Sequence, residues 1–89
     1  QWMVLLARKS ASARVASLLL DMWDRCASGP DRTVMLPLSR QQMADLLGLV
    51  IETVSRSITA LRDQGVVSLP GGRRLIVEDT DRLRAIAAD

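Results

Sequence analysis

Histidine, phenylalanine and tyrosine are missing from this 89-residue chain, and cysteine occurs once, at Cys26. Each absence excludes something. A lone cysteine without histidine cannot supply a zinc site, an iron–sulfur cluster or a disulfide framework within this segment. No general base stands beside Cys26 to activate it, which removes cysteine–histidine nucleophilic chemistry. The Gly-rich stretch "PGGRR", residues 70–74, is too short to cradle a phosphate and follows no strand-to-helix pattern. An enzyme is therefore not expected, nor a cofactor within this segment. A single cysteine fits a reducing, cytoplasmic setting and reads as a small buried apolar residue. No apolar run approaches the ~20 residues of a membrane span.

The chain is long enough for one small domain. Apolar residues make up 48% of it, so a core can form, but with only Trp2 and Trp23 as aromatics that core must be aliphatic. Both tryptophans read as core or interface packing. Net charge is +2, and Lys9 is the only lysine among the twelve basic residues. Arginine's planar fork suits phosphates and guanine edges better than lysine does. That preference suits nucleic acid; a GC-rich coding sequence would produce it too. The chain begins with Gln1 followed by the apolar "WMVLL". The expectation is a piece of a longer protein whose residues 1–8 pack against something beyond it.

Residues 12–26 repeat Val15, Leu18, Leu19, Met22 and Cys26 at helical spacing, with Ser10 or Ser12 as cap and Ser28-Gly29-Pro30-Asp31 as stop. "TVMLPL", 33–38, reads as a short strand that Pro37 confines to a sheet edge. Ser39 caps a helix over 40–47 with Met43, Ala44, Leu46 and Leu47 inward, and Gly48 stops it as a left-handed residue. A further helix runs over 51–64 with Ile51, Val54, Ile58 and Leu61 as its stripe, and Gly65 ends it. "VVSL" and "RRLIVED" around Pro70-Gly71-Gly72 predict a hairpin tipped by Arg73 and Arg74, with Leu69, Leu75 and Val77 as strand core. Asp79 or Thr80 caps a last short helix. Two helices joined by a tight Gly turn, then a hairpin, give a mainly α fold: a winged helix-turn-helix, a three-helix bundle with a small β-hairpin wing.

At about 100° per residue, Glu52, Ser55, Arg56, Thr59 and Asp63 fall nearly opposite Val54, Ile58 and Leu61. The first turns of the second helix of such a motif meet base edges in the major groove. Arg56 can bond O6 and N7 of guanine, Glu52 can accept from the cytosine amine, and Ser55 suits either kind of base. Ile51 either touches a thymine methyl or packs against the preceding helix. Ser39, Arg40 and Gln41 would face phosphates at a helix start. Thr53, Thr59, Arg73 and Arg74 complete the expected DNA-backbone set. The plain alternative for Glu52 and Arg56 is a surface i, i+4 pair contributing a few tenths of a kcal/mol.

The stretch "LSRQQMADLLGLVIETVSRSITALRDQGVV", residues 38–67, resembles the DNA-binding domain of the Crp/Fnr family of bacterial transcription regulators. "WMVLLARKSASARVASLLLDM" is similar to the end of that family's dimerisation helix and the first helix of its winged domain. The core Glu52-x-x-Ser55-Arg56 is like that of the Fnr and FixK branches. The resemblance implies a TTGA-type half-site read by Glu52, Ser55 and Arg56, and a homodimer on a two-fold symmetric operator. It implies that residues 1–9 are the end of the dimerisation helix and a hinge to a sensor domain, with 10–89 the winged domain. It leaves the sensor's effector open. The loop at 27–35 corresponds to one that touches RNA polymerase in the best-known members; a plain linker is the alternative. One departure is Val50, where the family usually has a capping Ser or Thr. The competing function is a winged helix that binds protein rather than DNA, which a net charge of +2 permits but a polar reading face does not suit.

Overall fold

The computed structural model describes residues 10–26 and 33–88. Residues 1–9, expected to end a dimerisation helix, lie outside them, as do Trp2 and most of the expected polymerase loop.

Helix α1 spans Ala11–Cys26. Of the two serines expected as caps, Ser10 acts: its hydroxyl accepts the Ala13 amide at 3.1 Å. The stripe Val15, Leu18, Leu19, Met22 and Trp23 is buried. Cys26, expected to be buried, is exposed. It is the final helical residue and follows exposed Asp24 and Arg25, so the helix has already left the core.

The wing is a three-stranded sheet rather than a bare hairpin. β1 (Val34–Met35), β2 (Val67–Ser68) and β3 (Arg74–Val77) are ordered β1-β3-β2, all antiparallel. Val34 lies opposite Leu75 and Met35 opposite Arg74. Buried Val34 and Leu75 therefore share the inner face, while Met35 and Arg74 share the outer one. β1 is an edge strand and ends before Pro37, which has no amide to donate.

Helix α2 is Arg40–Leu47, and Ser39 with Gln42 closes a full capping box. Met43, Ala44 and Leu47 are buried. Leu46, expected inward, is 40% exposed. Those three fill one arc of a two-turn helix, and Leu46 projects about 110° from its centre. The chain reverses at Gly48 (φ 69°, ψ 35°), and the Leu49 amide closes back on the Ala44 carbonyl at 2.9 Å. Helix α3 is Ile51–Asp63, one residue shorter than expected because Gln64 is its cap. It ends in a Schellman motif. Gly65 (φ 76°) donates to Arg62 O and Val66 to Leu61 O, both at 3.0 Å. Helix α4, Thr80–Ala88, starts where the Asp79 carboxylate accepts the Arg82 amide at 3.0 Å. It packs along α1, with the Ser17 hydroxyl donating to Ala87 O at 3.3 Å.

All these elements contribute to one core, aliphatic apart from Trp23, in which Leu19, Leu36, Met43, Leu47, Ile58 and Leu83 are almost wholly buried. No helix among the described residues is long and apolar enough to cross a membrane.

Candidate nucleic-acid interface

Helix α3 buries Val54, Ser57, Ile58 and Leu61. That packing turns Glu52, Arg56 and Thr59 fully outward and leaves Thr53 and Ser55 half-buried. Ile51 is also half-buried and packs against the core, while still showing part of its surface at the helix start. Glu52 and Arg56 do not form the i, i+4 pair that would explain them as ordinary surface charges. The ion pairs among the described residues are Arg25–Asp21 at 3.0 Å, Arg62–Asp63 at 3.2 Å and Arg84–Asp24 at 3.5 Å. Asp63, placed on the polar face, is thus held by its neighbour Arg62.

The start of α3 has open amides. Val50 takes cap geometry (φ −84°, ψ 154°) but offers no side-chain acceptor, and it is 61% exposed. Thr53 and Val54 donate to Val50 O at 3.1 and 3.2 Å. The Ile51 and Glu52 amides have no acceptor among the described residues. Such a terminus favours an anion.

At α2 the cap itself is satisfied. Ser39 Oγ accepts the Gln42 amide at 3.1 Å, and Gln42 Oε1 accepts the Ser39 amide at 2.8 Å. The Ser39 hydroxyl proton stays available to a phosphate. Gln41 donates its side-chain amide to Asp45 at 2.9 Å, so a phosphate contact would have to draw it away. Arg40 is half-buried, and burial lowers its pKa; it is still a cation at neutral pH. It has no hydrogen bond or ion pair among the described residues, and it sits at the helix end where a cation is least welcome.

Arg73 and Arg74 are exposed at the wing tip, where a turn closes from the Arg74 amide to Gly71 O at 3.0 Å. Leu36 donates to Arg73 O at 2.8 Å, which ties the tip to the segment leading into Ser39. An open groove lined by Met35, Leu36, Pro37 and the two arginines lies between them. The wing and the start of α2 are therefore adjoining, and α3 packs on α2.

The nine described arginines divide cleanly. Arg25, Arg62 and Arg84 are in ion pairs. Arg14 donates to Leu47 O at 3.3 Å, and Arg82 donates to Gln64 O and Oε1, both at 3.3 Å. Arg40, Arg56, Arg73 and Arg74 have no side-chain partner among the described residues. Those four are the arginines that helix phase and wing position assign to DNA. Arg14 and Arg82 carried no such signal in the sequence, because their acceptors, Leu47 O and the Gln64 O and Oε1 atoms, lie far from them along the chain.

Residues 13–86 match the Crp-like helix-turn-helix domain. The chain belongs to that family. It is 47% identical over 96 residues to the transcriptional activator protein FnrL of Cereibacter sphaeroides, an alignment covering 100% of this chain and 38% of FnrL. It is 47% identical over 89 residues to the nitrogen fixation regulation protein FixK of Azorhizobium caulinodans, covering 94% of this chain and 35% of FixK. The solved structure of FixK2 from Bradyrhizobium japonicum superposes with a TM-score of 0.90 at 40% identity, over 99% of this chain and 43% of that one. This Crp-like chain thus spans roughly two fifths of the length of the relatives it matches.

Proposed function

We propose that this Crp-like domain binds a specific double-stranded DNA half-site and so directs a transcription regulator to its operator. The observation that carries the reading is the set of unpartnered arginines. Among the described residues, Arg14, Arg25, Arg62, Arg82 and Arg84 have acceptors, while Arg40, Arg56, Arg73 and Arg74, on the start of α2, the outer face of α3 and the wing tip, have none. A solvated charge without a partner costs nothing, but a family of them on the elements that meet a duplex supports a phosphate and base contact surface.

In this reading Arg56 bonds guanine through both arms of its fork, Glu52 accepts from cytosine, and Ser55 and the exposed part of Ile51 complete a TTGA-type reading edge. Ser39, Arg40, Gln41, Thr53, Thr59, Arg73 and Arg74 hold the backbone. Two copies bind a two-fold symmetric operator as a homodimer in the cytoplasm. The stretch 27–35 is the candidate RNA polymerase contact. Only its last residues are described, and there β1 presents the exposed Met35.

A mobility-shift titration of the full-length dimer tests the reading. Arg56→Ala should lower discrimination between TTGA-type and scrambled sites by about 1–3 kcal/mol per half-site. Unchanged discrimination would sink it.

A further inference from the structure

Arg14 lies on α1, outside the helix-turn-helix motif, yet its guanidinium donates to the last main-chain carbonyl of α2, Leu47 O, at 3.3 Å. The next residue is Gly48, where the chain turns towards α3. Helix α2 has no basic residue in its own last turn, so the cation that a helix C-terminus favours comes from α1, 33 residues earlier in the chain. Arg14 is half-buried, which leaves that bond less exposed to competing water than a surface contact. The far end of α3 has a counterpart: Arg82 of α4 donates to Gln64 O, but both groups there are exposed.

We infer that Arg14 is a positioning residue for DNA reading: by holding the C-terminal carbonyl of α2, it fixes the turn that sets where α3 enters the groove. The inference rests on the DNA-binding reading above. The connecting turn is short, Gly48 to Val50, and the reading residues begin directly after it at Ile51. A shift of the α2 end is therefore passed through few intervening residues to the start of α3, where Glu52 lies. Base-edge hydrogen bonds weaken steeply with misalignment, whereas phosphate contacts through flexible arms do not. Loss of Arg14 should thus harm discrimination more than general affinity.

The test compares Arg14→Ala, Arg14→Lys, Arg82→Ala and Arg56→Ala in the full-length dimer. Measured are the affinity ratio between TTGA-type and scrambled DNA, the salt slope, the thermal midpoint, and hydrogen exchange at the Leu49 amide. For Arg14→Ala the expected result is about a tenfold fall in the ratio. The salt slope should be unchanged, and Leu49 exchange should rise well beyond any global change. Arg14→Lys, which keeps a cationic donor, should recover most of the ratio. Arg82→Ala, acting about 12–18 Å along α3 from Arg56 and Glu52, should stay within twofold. A ratio unaltered by Arg14→Ala, or a loss matched by Arg82→Ala and tracking the thermal midpoint alone, overturns the inference. If Arg56→Ala also leaves the ratio unchanged, the DNA reading itself has failed. If only Arg14→Ala does, positioning alone has.

Discussion

Val50 is the residue at which fold and function pull apart. Its backbone already has the extended geometry of a helix cap, and its side chain is 61% exposed with nothing to accept an amide. A hydroxyl there would reach the Glu52 or Thr53 amide and present a donor to a phosphate. Val50→Thr should therefore raise stability by about 1 kcal/mol in urea denaturation and tighten DNA binding in the same direction. No shift in either measurement would mean that solvent already satisfies the α3 start at no cost. The missing cap was legible from the sequence, as were Glu52 and Arg56, because helix phase alone turns them away from Val54, Ile58 and Leu61. Cys26 was not, since periodicity does not say where a helix runs out of core. Arg14 was not either: its partner is a carbonyl 33 residues away, and main-chain acceptors leave no mark in composition.

Among the elements, the helix boundaries could be read because they rest on local chemistry. Ser39, Gly48 and Gly65 act through bonds no more than five residues long. The edge strand at 33–38 could be read as well, but its partner could not, because β1 and β3 pair across about forty residues and two helices. That strand matters for the wing. It anchors the tip through Leu36 and Arg73 O, so Arg73 and Arg74 project from a braced turn. If they bind phosphates from there, they contribute affinity without sequence preference. Replacing both with Ala should weaken TTGA-type and scrambled DNA by similar factors. It should also reduce the log–log salt slope by about 2 in each half-site, measured by fluorescence anisotropy across a salt series. An unchanged slope would remove the wing from the interface; a selective loss on TTGA-type DNA would make it a reader instead.

For the molecule as a whole, the decisive quantity is how little charge is left over. The chain carries twelve basic and ten acidic residues, for a net charge of +2, and several arginines are spent on ion pairs and helix ends. Steering by net charge is then weak, and one copy offers a reading edge of only a few side chains. On the proposed DNA-binding reading, affinity comes from joining two copies so that the second half-site is bound at high effective concentration, a gain of about 10²–10⁴. This chain alone should bind a single TTGA-type half-site no tighter than about micromolar at physiological salt, near the range of non-specific binding. Two copies fused to a leucine zipper should bind a two-fold operator at least about a hundredfold more tightly, and inserting half a helical turn between the half-sites should abolish that gain. Nanomolar binding of the lone chain to one half-site would show instead that α3 and the wing suffice without a partner.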